Sequence, residues 1–306
     1  MDIATTILFL TERLVKMRPV LPFATMSRIL TVLAAQVRPV PFDPAATLEK
    51  FEEEVRMLRG AFPDVDLYIF PELYLTGEHP FSRPPTGYDE NPQAIPGPLT
   101  RAVGRIAKRA GRWIVAGSIV ERDGDDLYNT AIVFAPSGRL AARYRKVFTW
   151  RPFERYTAGI VAPPVFSIPN VAKVGLMICY DGWFPEMARG LALRGAEVIA
   201  HPTLTSTPDR EEELVLARAN AITNQCYVIN PNAVITVGGG RSIGVDPEGR
   251  VLFTGGSGEE FIPEVLDLDR VRTVRERGTR GLNRVLRHVR DAPRAVFDAY
   301  DDLGRD

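Results

Sequence analysis

Val174-Gly175-Leu176-Met177-Ile178-Cys179-Tyr180-Asp181-Gly182 passes from an unbroken apolar run straight into a polar turn. A run without polar alternation reads as a strand buried on both faces, the kind that parallel sheets use. Residues 185–193 follow as a helix opened by Pro185, then Gly195, then the short apolar strand 198–200. Strand, helix and strand in that order make an α/β protein with helices covering the sheet faces. Cys179 stands at the carboxyl end of the first strand, where ligand sites of parallel sheets form.

The same reading extends outward in both directions. Residues 29–36 form the first core strand, Asp43-Pro44 an N-cap and first turn, and residues 45–59 a helix with Leu48, Phe51, Val55 and Leu58 on one face. A short strand over 66–70 stops at Pro71-Glu72, and a helix over 100–110 ends at Gly111. Between them the Pro/Gly-rich residues 77–98 read as a long surface loop. Strands are expected over 113–120, 128–135 and 140–145, and beyond the cysteine over 227–230, 242–246, 250–253 and 261–268, with a helix over 211–224. The turn Pro136-x-Gly138-Arg139-Leu140 is echoed by Pro247-x-Gly249-Arg250-Val251. That echo suggests two related halves, although a favoured turn recurs by chance about as readily.

The chain has 306 residues, 45% hydrophobic and 25% charged, enough to bury a sizeable core. Its 38 basic and 38 acidic residues cancel, which removes the bulk electrostatic reason to expect nucleic acid or an anionic membrane. No apolar run reaches the ~18–20 residues of a membrane span. Residues 3–10 are apolar, but with Asp2 before them and Glu12-Arg13 after them they lack the marks of a secretory signal. They read as an amphipathic surface helix within an extension over 1–28, in which Met17 and Met26 leave the start of the chain open. Two cysteines make no disulfide framework, and the three histidines show no metal spacing. A cytoplasmic protein without metal or cofactor is expected.

Three side chains at strand ends carry the chemistry. Cys179 can feel the helix that follows it, which favours thiolate, yet a free cysteine is more often buried and inert. Cys226, beside Tyr227-Val228-Ile229, reads as core. Glu72 follows a buried strand and Pro71; alone it would be a solvated loop acid. Lys146 ends Arg143-Tyr144-Arg145-Lys146, ordinarily the protective cations of an edge strand. Glu154, between Arg151 and Arg155, is by default a surface ion pair. Taken together, an acid, a lysine and a thiol are what cysteine-dependent acyl transfer needs: a nucleophile, a proton carrier and a cation for the oxyanion.

Phe70-Pro71-Glu72-Leu73, Tyr144-Arg145-Lys146-Val147 and Ile178-Cys179-Tyr180-Asp181 resemble, in order, the three signature segments of the nitrilase (carbon–nitrogen hydrolase) superfamily. Leu127-Tyr128-Asn129-Thr130-Ala131, Phe184-Pro185-Glu186, Arg218-Ala219-Asn220-Ala221 and the hairpin over 242–249 match as well. The resemblance covers residues 29–277 and leaves 278–306 as a C-terminal tail, with the subunit interface as its expected place. It implies an α-β-β-α sandwich of pseudo-twofold halves assembled as a homodimer or higher homo-oligomer. It further implies Glu72 as general base, Lys146 as oxyanion stabiliser, Cys179 as nucleophile, Glu154 as the additional glutamate that positions the lysine, and the Tyr180 N–H as second oxyanion donor. Tyr180-Asp181 after the cysteine looks like the amidase and carbamoylase branches, where nitrile-cleaving members place Trp-Glu. Gly182-Trp183 and His201-Pro202-Thr203-Leu204-Thr205 depart from the pattern; His201 and Thr203 are candidate substrate contacts, although a structural histidine has the higher prior.

The expected activity is hydrolysis of a small amide through a thioester on Cys179, releasing a carboxylic acid and ammonia or an amine. Nitrile or N-carbamoyl hydrolysis on the same site, acyl transfer to an amine, and a non-catalytic binding protein are the alternatives. A serine hydrolase is suggested literally by Gly240-Arg241-Ser242-Ile243-Gly244, with Asp246, Asp267 and His288 in order. Its context fails: three glycines precede Ser242 where a strand is needed, and a strand follows where a helix is needed.

Overall fold

The computed structural model describes residues 27–76, 92–235 and 238–301. The helix expected over residues 3–10 and most of the loop expected over 77–98 lie outside them. Two six-stranded sheets make up the body. In the first, β1 (Ile29–Gln36), β2 (Leu67–Ile69) and β3 (Trp113–Asp123) run parallel. β4 (Asp126–Phe134) and β5 (Leu140–Arg145) continue antiparallel to one edge, and β14 (Glu260–Asp267) pairs antiparallel with β1 at the other. The second sheet repeats this plan. β7 (Ala172–Leu176), β8 (Val198–Ala200) and β9 (Tyr227–Asn230) are parallel; β12 (Ile243–Val245) and β13 (Val251–Thr254) continue antiparallel; β6 (Val165–Ile168) closes the far edge. The two echoed turns join β4 to β5 and β12 to β13, equivalent places in the two halves. A small ribbon of β10 (Val234–Ile235) and β11 (Gly238–Gly239) stands apart.

Period-two alternation sorts the strands of the first sheet between two cores. Leu30, Val32 and Ala34 of β1, Leu67 and Ile69 of β2, and Ala131 and Val133 of β4 join the core shared with the second sheet. Leu33 and Ala35, Tyr68, and Ile132 and Phe134 face the other way. There they meet α1 (Pro44–Ala61) and α2 (Pro98–Ala110), through Phe51, Val55 and Leu58 of α1 and Val103, Ile106 and Ala107 of α2. Asp43 caps α1 by accepting from the Ala46 N–H at 2.9 Å, and Gly111 ends α2 in the left-handed region. α3 (Pro185–Leu193) and α4 (Arg210–Asn224) contribute Ala188, Leu191, Ala217 and Ala221 to the core of the second sheet. The layers are therefore helix, sheet, sheet, helix.

Several elements differ from the sequence expectation. β6, β10 and β11 form where loop was expected. α5 (Leu268–Arg277) and α6 (Val285–Asp291) follow β14, and Arg294–Tyr300 makes a 3-10 turn. The end of the long loop is not all surface excursion: Gln93 pairs with β3, donating to Val120 O and accepting from the Arg122 N–H.

Candidate active site

Glu72, Lys146 and Cys179 each follow the carboxyl end of a strand, and local geometry explains why each chain turn is possible. After β2 the chain turns at Pro71-Glu72, pressed against β3 at Gly117. Any Cβ at Gly117 would lie 1.8 Å from the Pro71 carbonyl oxygen, so only glycine lets the two backbones approach. The β3–β4 register shifts between Val115 and Ser118, and Ser118 Oγ then accepts the Leu73 N–H at 2.9 Å. Glu72 is thereby fixed 2% exposed at the joint between the sheets, its Oε2 accepting the Leu204 N–H at 2.9 Å.

Lys146 leaves β5 with its N–H on Asn129 O and its own carbonyl accepting from the Gly159 N–H, both at 2.8 Å. It is not a solvated edge cation but is 2% exposed. Its ammonium donates to Glu72 Oε1 at 3.0 Å and to both Glu154 oxygens at 2.9 Å. Glu154 likewise forms no surface pair with its flanking arginines. The chain bends back so that Glu154 N–H reaches Trp150 O, while Glu154 Oε2 accepts the Trp150 N–H at 2.6 Å. Asn129 completes the cluster from β4, one amide donating to Glu72 Oε1 at 2.8 Å and Glu154 Oε1 at 3.1 Å.

Cys179 lies behind β7 at the start of the 3-10 turn Cys179–Trp183, at φ 42°. This strained left-handed conformation is held from both sides. The Cys179 N–H donates to Pro202 O at 2.9 Å, and its carbonyl accepts from His201 Nε2 at 2.8 Å. Gly182 makes room for that imidazole, since a Cβ there would lie 2.4 Å from His201 Cε1. Asp181 ties the turn to the lysine segment: its carboxylate accepts from the Ile178 N–H (3.0 Å), the Phe148 N–H (3.0 Å) and the Tyr144 hydroxyl (2.9 Å). Thr205 Oγ1 lies 3.7 Å from Cys179 Sγ.

Burial and charge set the protonation states. Burial pushes the Glu72 carboxyl up, against the pull of Lys146, and Glu154 adds to the rise. Burial alone would lower Lys146, but Glu72, Cys179 and Glu154 raise it well above the ordinary value, so it stays an ammonium. Burial also opposes ionisation of Glu154, yet Lys146 and the Trp150 and Asn129 donors bring its pKa below the ordinary range. The Cys179 thiol is raised strongly by burial and by Glu72, with Lys146 opposing. Burial lowers His201 to about 4, so it is neutral at neutral pH, and its carbonyl partner requires the proton on Nε2.

Glu72, Lys146 and Glu154 thus share one buried cluster, and Cys179 is electrostatically coupled to all three. The Tyr180 N–H lies within the turn that begins at Cys179. His201 supports the backbone of that turn. Thr203 is fully buried, its hydroxyl donating to His201 O at 3.1 Å and accepting from Asn230 Nδ2. That hydroxyl is engaged by the protein's own His201 carbonyl and Asn230 amide. The sequence reading missed the roles of Asn129, Thr205 and Glu213, which come from three different parts of the chain; Asn129 and Thr205 lay in quoted segments, Glu213 in none. The serine alternative is not assembled. Ser242 is fully buried and accepts the Asn232 N–H; Asp246 faces Arg270 and Arg250; Asp267 caps α5; His288 is exposed on α6.

A helix–sheet–sheet–helix sandwich that holds a buried Glu-Lys-Glu cluster against a strand-end cysteine has the parts of cysteine-dependent acyl transfer. The sequence pattern of the carbon-nitrogen hydrolase family matches residues 31–276, and the chain belongs to that family. It is 32% identical over 212 residues to a formamidase of Bacillus thuringiensis (strain Al Hakam), spanning 68% of this chain but 63% of that relative's length. Saccharomyces cerevisiae Nit3, a member of branch 10 of the nitrilase superfamily, superposes with a TM-score of 0.71 at 25% identity, over 81% of this chain and 94% of Nit3. An amidase from Nesterenkonia sp. does so with 0.69 at 25% identity, over 80% and 93%.

Proposed function

We propose that the chain is a cysteine-dependent amidase that cuts the non-peptide C–N bond of a small amide. The observation that carries this reading is the Lys146 ammonium fixed between Glu72 and Glu154 beside the Cys179 thiol. Relatives named formamidase and amidase support it. Glu72, its basicity raised by burial, takes the thiol proton as sulfur bonds to the amide carbon. The carbonyl electrons move to oxygen, where Lys146 and the Tyr180 N–H stabilise the oxyanion. Collapse breaks the C–N bond as Glu72 protonates the departing nitrogen, leaving a thioester on Cys179. Glu72 then deprotonates water, which adds to the thioester; collapse expels the sulfur, which recovers its proton, and the carboxylic acid leaves. Glu154 and Asn129 position the lysine and the base. His201, neutral and bonded to the Cys179 carbonyl, braces the nucleophile's backbone and does not exchange protons with substrate.

A small amide is the proposed partner, with no nucleic acid or membrane. No helix among the described residues is long and apolar enough to cross a membrane. We place the protein in the cytoplasm as a homodimer or higher homo-oligomer, with residues 278–306 at the subunit interface. The exposed Leu282, Val296 and Tyr300 of that tail support this. Ammonia release across matched amides, ureas and nitriles tests the substrate class. Amides are expected to turn over far faster than the corresponding nitriles, because the donors are aimed at an oxyanion while a thioimidate nitrogen must be protonated. Faster nitrile turnover overturns the amidase reading.

A further inference from the structure

The sulfur has a polar neighbour outside the acid–lysine cluster. Thr205 Oγ1, 3.7 Å from Cys179 Sγ, donates to Glu213 Oε1 at 3.1 Å. Glu213 Oε2 accepts from Arg210 Nη1 at 2.9 Å, and Arg210 Nη2 reaches Arg241 O at 2.8 Å. The arrangement is rigid. The Asn232 side chain accepts the Thr205 N–H and donates to the Thr205 carbonyl, both at 2.8 Å, and Thr205, Glu213 and Arg210 are all buried. Arg210 and Glu213 sit in the first turn of α4, where the proposed reaction uses neither.

A hydroxyl has one proton to give. While Glu213 accepts it, the Thr205 oxygen can face sulfur only with lone pairs, which suits an S–H and opposes S⁻. We propose that Thr205 and Glu213 are positioning residues that hold the resting Cys179 as a thiol, Glu213 claiming the hydroxyl proton that would otherwise stabilise the thiolate. This rests on reading Cys179 as the nucleophile. The charged groups acting on the sulfur are Glu72 behind β2, Lys146 behind β5, Glu154 in the loop after it and Glu213 on α4. Glu213 is the one acid among them that does not bond Lys146, and Arg210 balances it from the far side. The gain is a nucleophile that stays protonated, and so resistant to oxidation and stray alkylation, until Glu72 removes its proton.

The test is the pH dependence of Cys179 alkylation by iodoacetamide, followed by intact-protein mass spectrometry, with Cys179→Ala reporting label elsewhere. Glu213→Gln should move the midpoint down by about one pH unit, about tenfold more thiolate at a fixed pH below it. Glu213→Asp keeps the charge beside Arg210 but draws back from Thr205; it should shift the midpoint in the same direction by less. Thr205→Ser, which keeps the hydroxyl, should retain the wild-type midpoint. An unmoved midpoint in both Glu213 variants overturns the proposal, as does a full shift in Glu213→Gln with none in Glu213→Asp, which would leave charge alone as the cause. If Glu213→Gln does not fold, Glu213→Asp decides. Failure of the nucleophile reading shows separately, as amide turnover surviving in Cys179→Ala.

Discussion

The two cysteines are both buried, and both thiols are pushed up by burial, Cys226 to about 12. Their surroundings differ. Cys226 precedes β9 inside the apolar core, with Arg275 and Arg189 as the nearest charges and no carboxylate among its influences. Cys179 faces Glu72, Lys146 and Thr205 on a turn bonded from both sides. Desolvation makes a thiol inert wherever it occurs. In the proposed reaction the difference is a base and an oxyanion cation delivered to Cys179 from the ends of other strands.

The largest effect should separate these two positions. Cys179→Ala is expected to abolish amide turnover, whereas Cys226→Ala should keep it within about twofold, at some cost in stability from the small cavity. Equal losses in two folded variants would erase the distinction. Next comes the base. Glu72→Gln should lower turnover about 10²–10⁴-fold, the usual range for general acid–base catalysis. Attack can continue slowly while hydrolysis stalls, so a Cys179 thioester should appear by mass spectrometry after incubation with a good amide. It should be missing in Cys179→Ala; a Glu72→Gln enzyme of near wild-type rate would remove Glu72 from the mechanism.

The same contrast shows what was legible in the sequence. β1, β8 and β9 were readable to the residue because apolar runs bounded by polar turns leave little choice, and β5 and α3 because Gly138 and Pro185 mark where they begin. β6 was hidden behind Pro163-Pro164, and α5 by its charge: only Leu268, Val271 and Val274 of its ten residues are buried. At the site, Glu72, Lys146, Cys179 and Glu154 each lie in a recognisable local segment, so resemblance reached them. Local reasoning alone misplaced three of them, making Glu72 a solvated loop acid and Lys146 and Glu154 surface charges, because their burial comes with contacts to β4 and to each other. Thr205 and Glu213 are ordinary residues until α4 docks beside the cysteine turn. Convergence of distant segments is a tertiary fact that no short pattern carries.

The smallest effect concerns the connection that keeps the two halves of the site in register. Asp181 is fully buried and bonds both the cysteine turn and the lysine segment, and burial raises its pKa from 3.8 to about 6. A folded-state pKa above the unfolded one means the native protein holds this proton longer. Stability is therefore lost as pH rises from about 4 to about 6, by up to about 3 kcal/mol. Asp181→Asn removes that slope. It also removes carboxylate acceptors, a cost that does not depend on pH, and it should lower kcat about tenfold through misplacement of Cys179 relative to Lys146, with little change in KM. Glu72 and Glu154 titrate in both proteins, so the difference between the two isolates Asp181. Urea unfolding at pH 4.5 and pH 7 should show the stability deficit of Asp181→Asn shrinking at the higher pH. A deficit that grows with pH would mean that Asp181 is stabilised as the anion by its three donors, with burial the weaker influence.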